Sequence, residues 1–212
     1  MMSAASPGTN YTGEAGRKYA SRFGSNPDQD ILGRCFRDRF GKWISANDRV
    51  IEYGCGSGRN ILAIECAEKA GYDVNEHSLA VAERAGLRVF NNTGDLPRGY
   101  WSAVVCNHVL EHVASPLDTL QLLRSLLTPN GKLILTVPVQ GHLLKLTPID
   151  QETDHHLYCW SPTTMRNLLH AAGFETQQIV LRSAAAEDRI EPLARLSWQL
   201  FKTGVWAAVP HC

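Results

Sequence analysis

Seven consecutive residues, Glu52-Tyr53-Gly54-Cys55-Gly56-Ser57-Gly58, combine a carboxylate with three alternating glycines. Glycine at such spacing lets the backbone turn tightly and approach a ligand where a Cβ would collide. A helix starting directly afterwards aims free N–H groups and the positive end of its dipole at the loop, which suits an anionic group. Asp73 follows nineteen positions after Gly54, and a carboxylate at the end of the next strand reaches a ribose diol in an open α/β sheet. Glu52 lies inside an apolar run, where a carboxylate needs partners to offset its burial. Loop amides and an amino group of the ligand are the two that fit. The second reactive set is imidazoles: His155 and His156 beside Asp154, and His108 before Leu110-Glu111; His112 reads as a structural residue at the start of the next element. Histidine changes charge near neutral pH and is the commonest general base there. His156, with His155 second, is the candidate catalytic base or substrate-orienting residue; the competing role is to pin a loop by bonding a backbone carbonyl.

The elements that must hold these residues alternate between strand and helix. Residues 1–25 lack periodicity and read as a flexible tail, or as a lid because Tyr11 and Tyr19 are apolar for a spacer. Asn26-Pro27 starts a helix over residues 26–45, with Phe36, Phe40 and Ile44 on one apolar face. Strand 50–53, helix 59–70, strand 71–74, a helix from Asn75 to before Gly86, and strands 87–91 and 103–107 follow. Ser115-Pro116 caps a further helix, Pro129-Asn130-Gly131 turns the chain, and 132–138 is an apolar strand of a sheet covered on both faces. The long irregular stretch 139–160, at the carboxyl end of the sheet, reads as an active-site lid. Ser161-Pro162 caps a last clear helix stopped by Gly173, and 174–182 is a strand. Residues 190–202 are helix-like, and 205–209 are either a final strand or part of an amphipathic surface. This order predicts an α/β fold, a doubly wound, mostly parallel Rossmann-like sheet of six or seven strands with helices on both faces, and a single domain over 26–212.

The loop is not a dinucleotide fingerprint, because Arg59 stands where the third glycine of G-x-G-x-x-G belongs. The pattern E-x-G-x-G-x-G instead resembles motif I of class I S-adenosylmethionine-dependent methyltransferases. Residues 73–82 are similar to that family's second motif, with Asp73 at the ribose-binding position. VVCNHVLEHV at 104–113 resembles the segment after strand four in the group that includes ubiquinone-pathway and small-molecule O-methylating enzymes. LTPNGKLILTVP at 127–138 and HLYCWSPTTMRNLLHAAGF at 156–174 are similar to their fifth strand and closing helix.

The resemblance implies a donor, S-adenosyl-L-methionine, leaving as S-adenosyl-L-homocysteine. It implies contacts from Glu52, Gly54, Cys55, Gly56, Gly58, Asp73, Asn107 and His108. Asn91-Asn92-Thr93 replaces the Gly-Asp that holds the adenine amino group in many relatives, and Asn92 is the positional substitute, since an amide both donates and accepts. The family's seventh strand is either supplied late by the tail or absent. The expected activity is in-line methyl transfer to a small-molecule acceptor, a hydroxyl oxygen in first place; no metal is required. No N-P-P-Y follows strand four and no Pro-Cys pair is present, against nucleobase amino and pyrimidine C5 methylation. The alternatives are N- or C-methylation, or an inactive donor-binding partner protein.

Composition sets the remaining bounds. The chain has 212 residues, 21 Lys plus Arg against 21 Asp plus Glu, and 44% hydrophobic residues, the profile of one globular domain. Zero formal net charge argues against nucleic acid as partner. No run of about 18 apolar residues marks a transmembrane segment, and a cytoplasmic location is expected. Six cysteines are scattered without a C-x-x-C pair, as packing thiols rather than a disulfide framework or zinc site. The apolar tail residues Trp198, Phe201 and Trp206 leave a homodimer possible.

Overall fold

The computed structural model describes residues 9–23, 36–37, 39–139, 155–183 and 202–210. Its centre is strand β1 (Arg49–Tyr53), whose Val50 and Ile51 are fully buried. Parallel to it on one side lie β2 (Glu68–Tyr72) and β3 (Arg88–Phe90), and on the other β4 (Trp101–Asn107) and β5 (Leu127–Val139). Beyond β5 the sheet continues through β7 (Lys202–Pro210), antiparallel to both neighbours, to β6 (Phe174–Ser183). The seven-strand order is β3-β2-β1-β4-β5-β7-β6. The tail thus supplies the late strand, inserted between two earlier ones.

Both faces are covered, so the strands read as near-continuous apolar runs. Alternation still sorts them. Leu133 and Leu135 pack on one face with Trp101, Leu123, Met165 and Leu169, while Ile134 packs on the other with Phe40, Ile61, Leu79 and Val105. The first face receives α4 (Pro116–Leu126) and α5 (Pro162–Ala171); the second receives α2 (Arg59–Leu62) and α3 (Glu76–Arg84). Their starts follow the sequence: Ser115, Ser161 and Asn75 each accept backbone N–H bonds from the first turn, the usual satisfaction of orphan donors. Gly173, at φ +83°, stops α5.

Four expectations need correction. The helix expected over 59–70 is one turn, Arg59–Leu62, and β2 begins at Glu68 rather than 71. Lys69 Nζ donates to the carbonyls of Leu62 and Ile64, satisfying the helix end early and freeing the chain to join the ladder. The Pro129-Asn130-Gly131 turn does not precede a strand but interrupts one: Leu127 pairs with Trp101 and Lys132 with Ala103, so residues 128–131 bulge. The stretch 1–25 is not aperiodic throughout, since Gly13–Phe23 forms helix α1 after a 3-10 turn over Thr9–Tyr11. The helix expected to reach 45 has given way to a 3-10 turn at Gly41–Trp43, and Ile44 is extended. Residues 36–37 and 39–40 are helical; the rest of that helix from 26, most of the expected lid (140–154) and the 190–201 segment lie outside the described residues.

Cys55 and Cys106 are buried, Cys66 half-buried and Cys159 exposed, all as free thiols. Among the described residues no helix is long and apolar enough to cross a membrane.

Candidate active site

Register places the functional ends of three strands side by side. Tyr53 pairs with Tyr72 on one side and Cys106 on the other. Gly54, Asp73 and Asn107 therefore leave the sheet at the same carboxyl edge. The loop is held down by Gly54 N–H and Cys55 N–H, which both donate to Tyr72 O, at 2.7 and 2.9 Å. Asp73 Oδ2 accepts from Gly56 N–H at 2.7 Å and Oδ1 from Asn75 N–H at 2.8 Å. Burial raises the Asp73 pKa, against the lowering by these backbone donors.

The glycines divide the work. A Cβ on Gly54 would come within 2.1 Å of Val109 Cγ2, so this position serves packing. A Cβ on Gly56, at φ +52°, would meet nothing within 4 Å and would project into open space. Gly56 lines a cavity of about 650 Å³ that is also bounded by the rest of the loop, Asp73, Asn107, His108 and the start of α4. Its roof comes from Tyr11, Tyr19 and Ala20 of the N-terminal segment. Asn75 Nδ2 donates to Gly16 O at 2.9 Å, fastening α1 to the start of α3.

Not every expected contact residue reaches the cavity. Glu52 is fully buried behind the loop, where Oε1 accepts from Asn60 Nδ2 at 3.1 Å and the Ile61 N–H is a further donor. These partners belong to α2 rather than to the glycine loop, and Oε2 has no hydrogen-bond partner. Desolvation drives its pKa up to about 8, so the carboxyl keeps its proton at neutral pH. Gly58 starts α2 and a Cβ there would strike Leu87. Cys55 does line the cavity, while its thiol packs over Gly71 with its pKa raised by burial. Asn92 is exposed and caps the 3-10 turn Thr93–Asp95 through Gly94 N–H, outside the cavity lining. Asn107 does line it, and its buried Oδ1 has no partner.

Opposite the loop stands a cluster that the sequence only half revealed. Glu111 is fully buried. Its Oε1 lies 3.2 Å from His108 Nδ1, 3.9 Å from His112 Nε2 and 4.0 Å from His156 Nε2, while Oε2 has no partner. The rings of His112 and His156 meet at 4.8 Å. Tyr11 Oη is hydrogen-bonded to His112 Nδ1 at 2.9 Å, and the His112 ring donates to the His155 carbonyl. Desolvation lowers the His112 pKa, against the charge of Glu111. Leu157 and Tyr158 N–H groups both donate to Glu111 O, at 2.7 and 3.2 Å, stapling the 155–158 segment to the turn after β4. His156 thus joins His108 and His112, but of the three only the latter two line the cavity. His155 takes part through its backbone. From sequence alone His112 has a structural place, Tyr11 a place in a tail or lid, and Glu111 none; the H-x-x-E-H spacing, which puts three side chains on one face of a turn, is the available signal that they meet.

A doubly wound sheet with a glycine loop after its first strand and a carboxylate after its second defines a class I methyltransferase architecture. Residues 33–179 match the family described as Methyltransferase domain, and the chain belongs to that family of S-adenosylmethionine-dependent methyltransferases. It is 33% identical over 159 residues to the ubiquinone biosynthesis O-methyltransferase of Xanthomonas axonopodis pv. citri, covering 63% of this chain and 65% of that enzyme. To the enzyme of the same description in Aromatoleum aromaticum it is 26% identical over 167 residues, covering 65% and 70%. The match therefore spans about two thirds of each relative's own length. Among solved structures, the S-adenosylmethionine-dependent methyltransferase from Archaeoglobus fulgidus superposes with a TM-score of 0.65 at 19% identity, covering 92% of this chain and 99% of that one; at that identity it speaks for the fold.

Proposed function

We propose that this chain transfers a methyl group from S-adenosyl-L-methionine to a hydroxyl oxygen of a small molecule. The observation that carries the reading is the pairing of Gly56, open to the cavity, with Asp73 beside it and a histidine–glutamate cluster opposite. The pocket suits the donor: Asp73 oxygens keep spare lone pairs for a ribose diol, Gly56 leaves room for close approach, and Asn107 Oδ1 is an acceptor awaiting an N–H. The bound donor supplies an electrophilic methyl on a sulfonium. The chain's own part is to orient the acceptor oxygen in line, exclude water and take its proton.

The proton's destination is the cluster around Glu111. His108 and His112 face the acceptor, and His156, the expected base, acts from behind them as a positioning residue. Residues 9–23 close the site through Tyr11 and Tyr19. The ubiquinone-pathway O-methyltransferases among its relatives support an oxygen acceptor. Calorimetry with S-adenosylhomocysteine, S-adenosylmethionine and NADH tests the donor assignment. Binding of the first two and not the third is expected; binding of NADH alone overturns it.

A further inference from the structure

We propose that Glu52 makes the donor site respond to the charge of its occupant: it carries a proton in the free chain and beside the neutral product, and gives that proton up when a sulfonium binds. The inference deepens the methyltransferase reading and rests on it.

Glu52 shares its face of β1 with Val50, whose neighbours are Phe36, Phe40 and Ile61. It is fully buried, yet one side chain separates it from the donor. Asn60, whose Nδ2 donates to Glu52 Oε1 at 3.1 Å, itself lines the cavity, as does Cys55. Oε2 is buried without a hydrogen-bond partner.

The surroundings leave a charge on Glu52 uncompensated. From α2, Asn60 and the Ile61 N–H are neutral donors. From the end of β2, Asp73 carries like charge and opposes ionisation. Cys55 on the loop and Cys106 on β4 also act on it, and burial raises both thiols, so they stay neutral. Arg59 opens α2 and lines the cavity; its charge is fixed at every working pH and does not respond to the occupant. Among the described residues no cation pairs with Glu52. A buried carboxyl so placed keeps its proton, and here burial sets the balance at about 8, where a modest field decides it. A sulfonium beyond the loop brings a full positive charge. At roughly 10 Å through protein, one charge shifts a proton equilibrium about tenfold or more.

Charge then balances over a turnover. Sulfonium, Glu52 carboxylate and acceptor hydroxyl become thioether, Glu52 carboxylic acid and methyl ether. The oxygen–carbon bond forms as the carbon–sulfur bond breaks, the hydroxyl loses one proton and Glu52 gains one, both by exchange with solvent. The product is thus left in a site that has lost its attraction for a cation.

Calorimetry on the full chain at pH 7.5, in two buffers of different ionisation enthalpy, counts the protons exchanged on binding. The amino group of the donor also titrates near this pH, and Glu52→Gln, which keeps the acceptor for Asn60, separates the two sources. The parent should release roughly half a proton more per S-adenosylmethionine than the variant does, and no more per S-adenosylhomocysteine. From pH 6 to 9 the ratio of the two affinities should swing toward S-adenosylmethionine about tenfold further in the parent. Equal proton counts, or a ratio that moves alike in both proteins, overturn the proposal. Should Glu52→Gln not fold, the parent decides alone with 5′-dimethylthioadenosine and 5′-methylthioadenosine, a sulfonium and a thioether without the amino group. Greater release with the sulfonium supports the proposal, and equal release overturns it. If neither S-adenosylmethionine nor S-adenosylhomocysteine binds, the methyltransferase reading itself fails and this inference with it.

Discussion

Asp73 Oδ2 accepts the Gly56 N–H at 2.7 Å across 17 residues, so the carboxylate expected to face the donor also shapes the loop that cradles it. Truncation removes both contributions. Asp73→Ala should weaken S-adenosylhomocysteine binding by about 1–3 kcal/mol, the range for hydrogen bonds to a charged group and a buried donor left unpaired. Asp73→Asn retains one acceptor oxygen and should fall between. Calorimetry decides; an unchanged affinity in the alanine variant would mean the donor lies elsewhere.

Two glycines two positions apart should respond to alanine in opposite ways. At Gly54 the new methyl would lie 2.1 Å from Val109 Cγ2, so Gly54→Ala should lower the melting temperature and yield little folded protein. At Gly56 the methyl enters open space and the cost to folding is the left-handed backbone, roughly 1–2 kcal/mol. Gly56→Ala should therefore fold, with a modest loss in melting temperature, and fail to bind S-adenosylhomocysteine. Parent-like affinity in that variant would sink the placement of the ligand.

These contrasts show which parts of the site were legible in the sequence. The loop, Asp73 and the caps at Asn75, Ser115 and Ser161 depend on local chemistry, so residue type and spacing reveal them. The one-turn α2 was not legible. Ile61, Leu62 and Ile64 continue a helical pattern, and Glu68-Lys69-Ala70-Gly71 are poor strand formers. The parallel pairing with β1 and the capture of helix carbonyls by Lys69 overrode both signals. β7 was ambiguous for a related reason, because its place between β5 and β6 is a long-range pairing. Tyr11 and His112 are 101 residues apart, and nothing local couples them. Asn92 misled because it occupies the right sequence position but turns to its own Gly94 N–H.

Glu52 should govern how stability varies with pH. Its folded pKa is raised from 4.5 to about 8 by desolvation. A carboxyl with a raised folded pKa contributes its stability in full below the unfolded value and loses it as pH rises through the folded one. At ~1.4 kcal/mol per unit the decline amounts to several kcal/mol between pH 4.5 and about 8. Glu52→Gln keeps the acceptor for Asn60 and has no proton to lose. Melting temperatures measured across that window should fall for the parent and stay flatter for the variant. Parallel curves would show that Glu52 titrates normally.

Tyr11 tests whether the N-terminal segment belongs to the working site. Its ring packs edge-on against Tyr19 at 5.0 Å and against His112 at 5.4 Å, while its hydroxyl bonds His112 Nδ1. Phenylalanine keeps the rings and deletes the bond. A second tie of the segment, Asn75 Nδ2 to Gly16 O, is untouched. Tyr11→Phe should therefore lower the melting temperature by no more than about 2–4 °C, since a half-buried neutral hydrogen bond is worth about 1 kcal/mol or less. Affinity for S-adenosylhomocysteine should change little, because the proposed donor contacts are at the loop and Asp73. What should suffer is the aim of His112. Once an acceptor is found by screening small hydroxyl compounds with labelled donor, turnover should drop roughly tenfold, in line with the loss of an orienting partner to a working imidazole. Undiminished turnover would make α1 a passive cover.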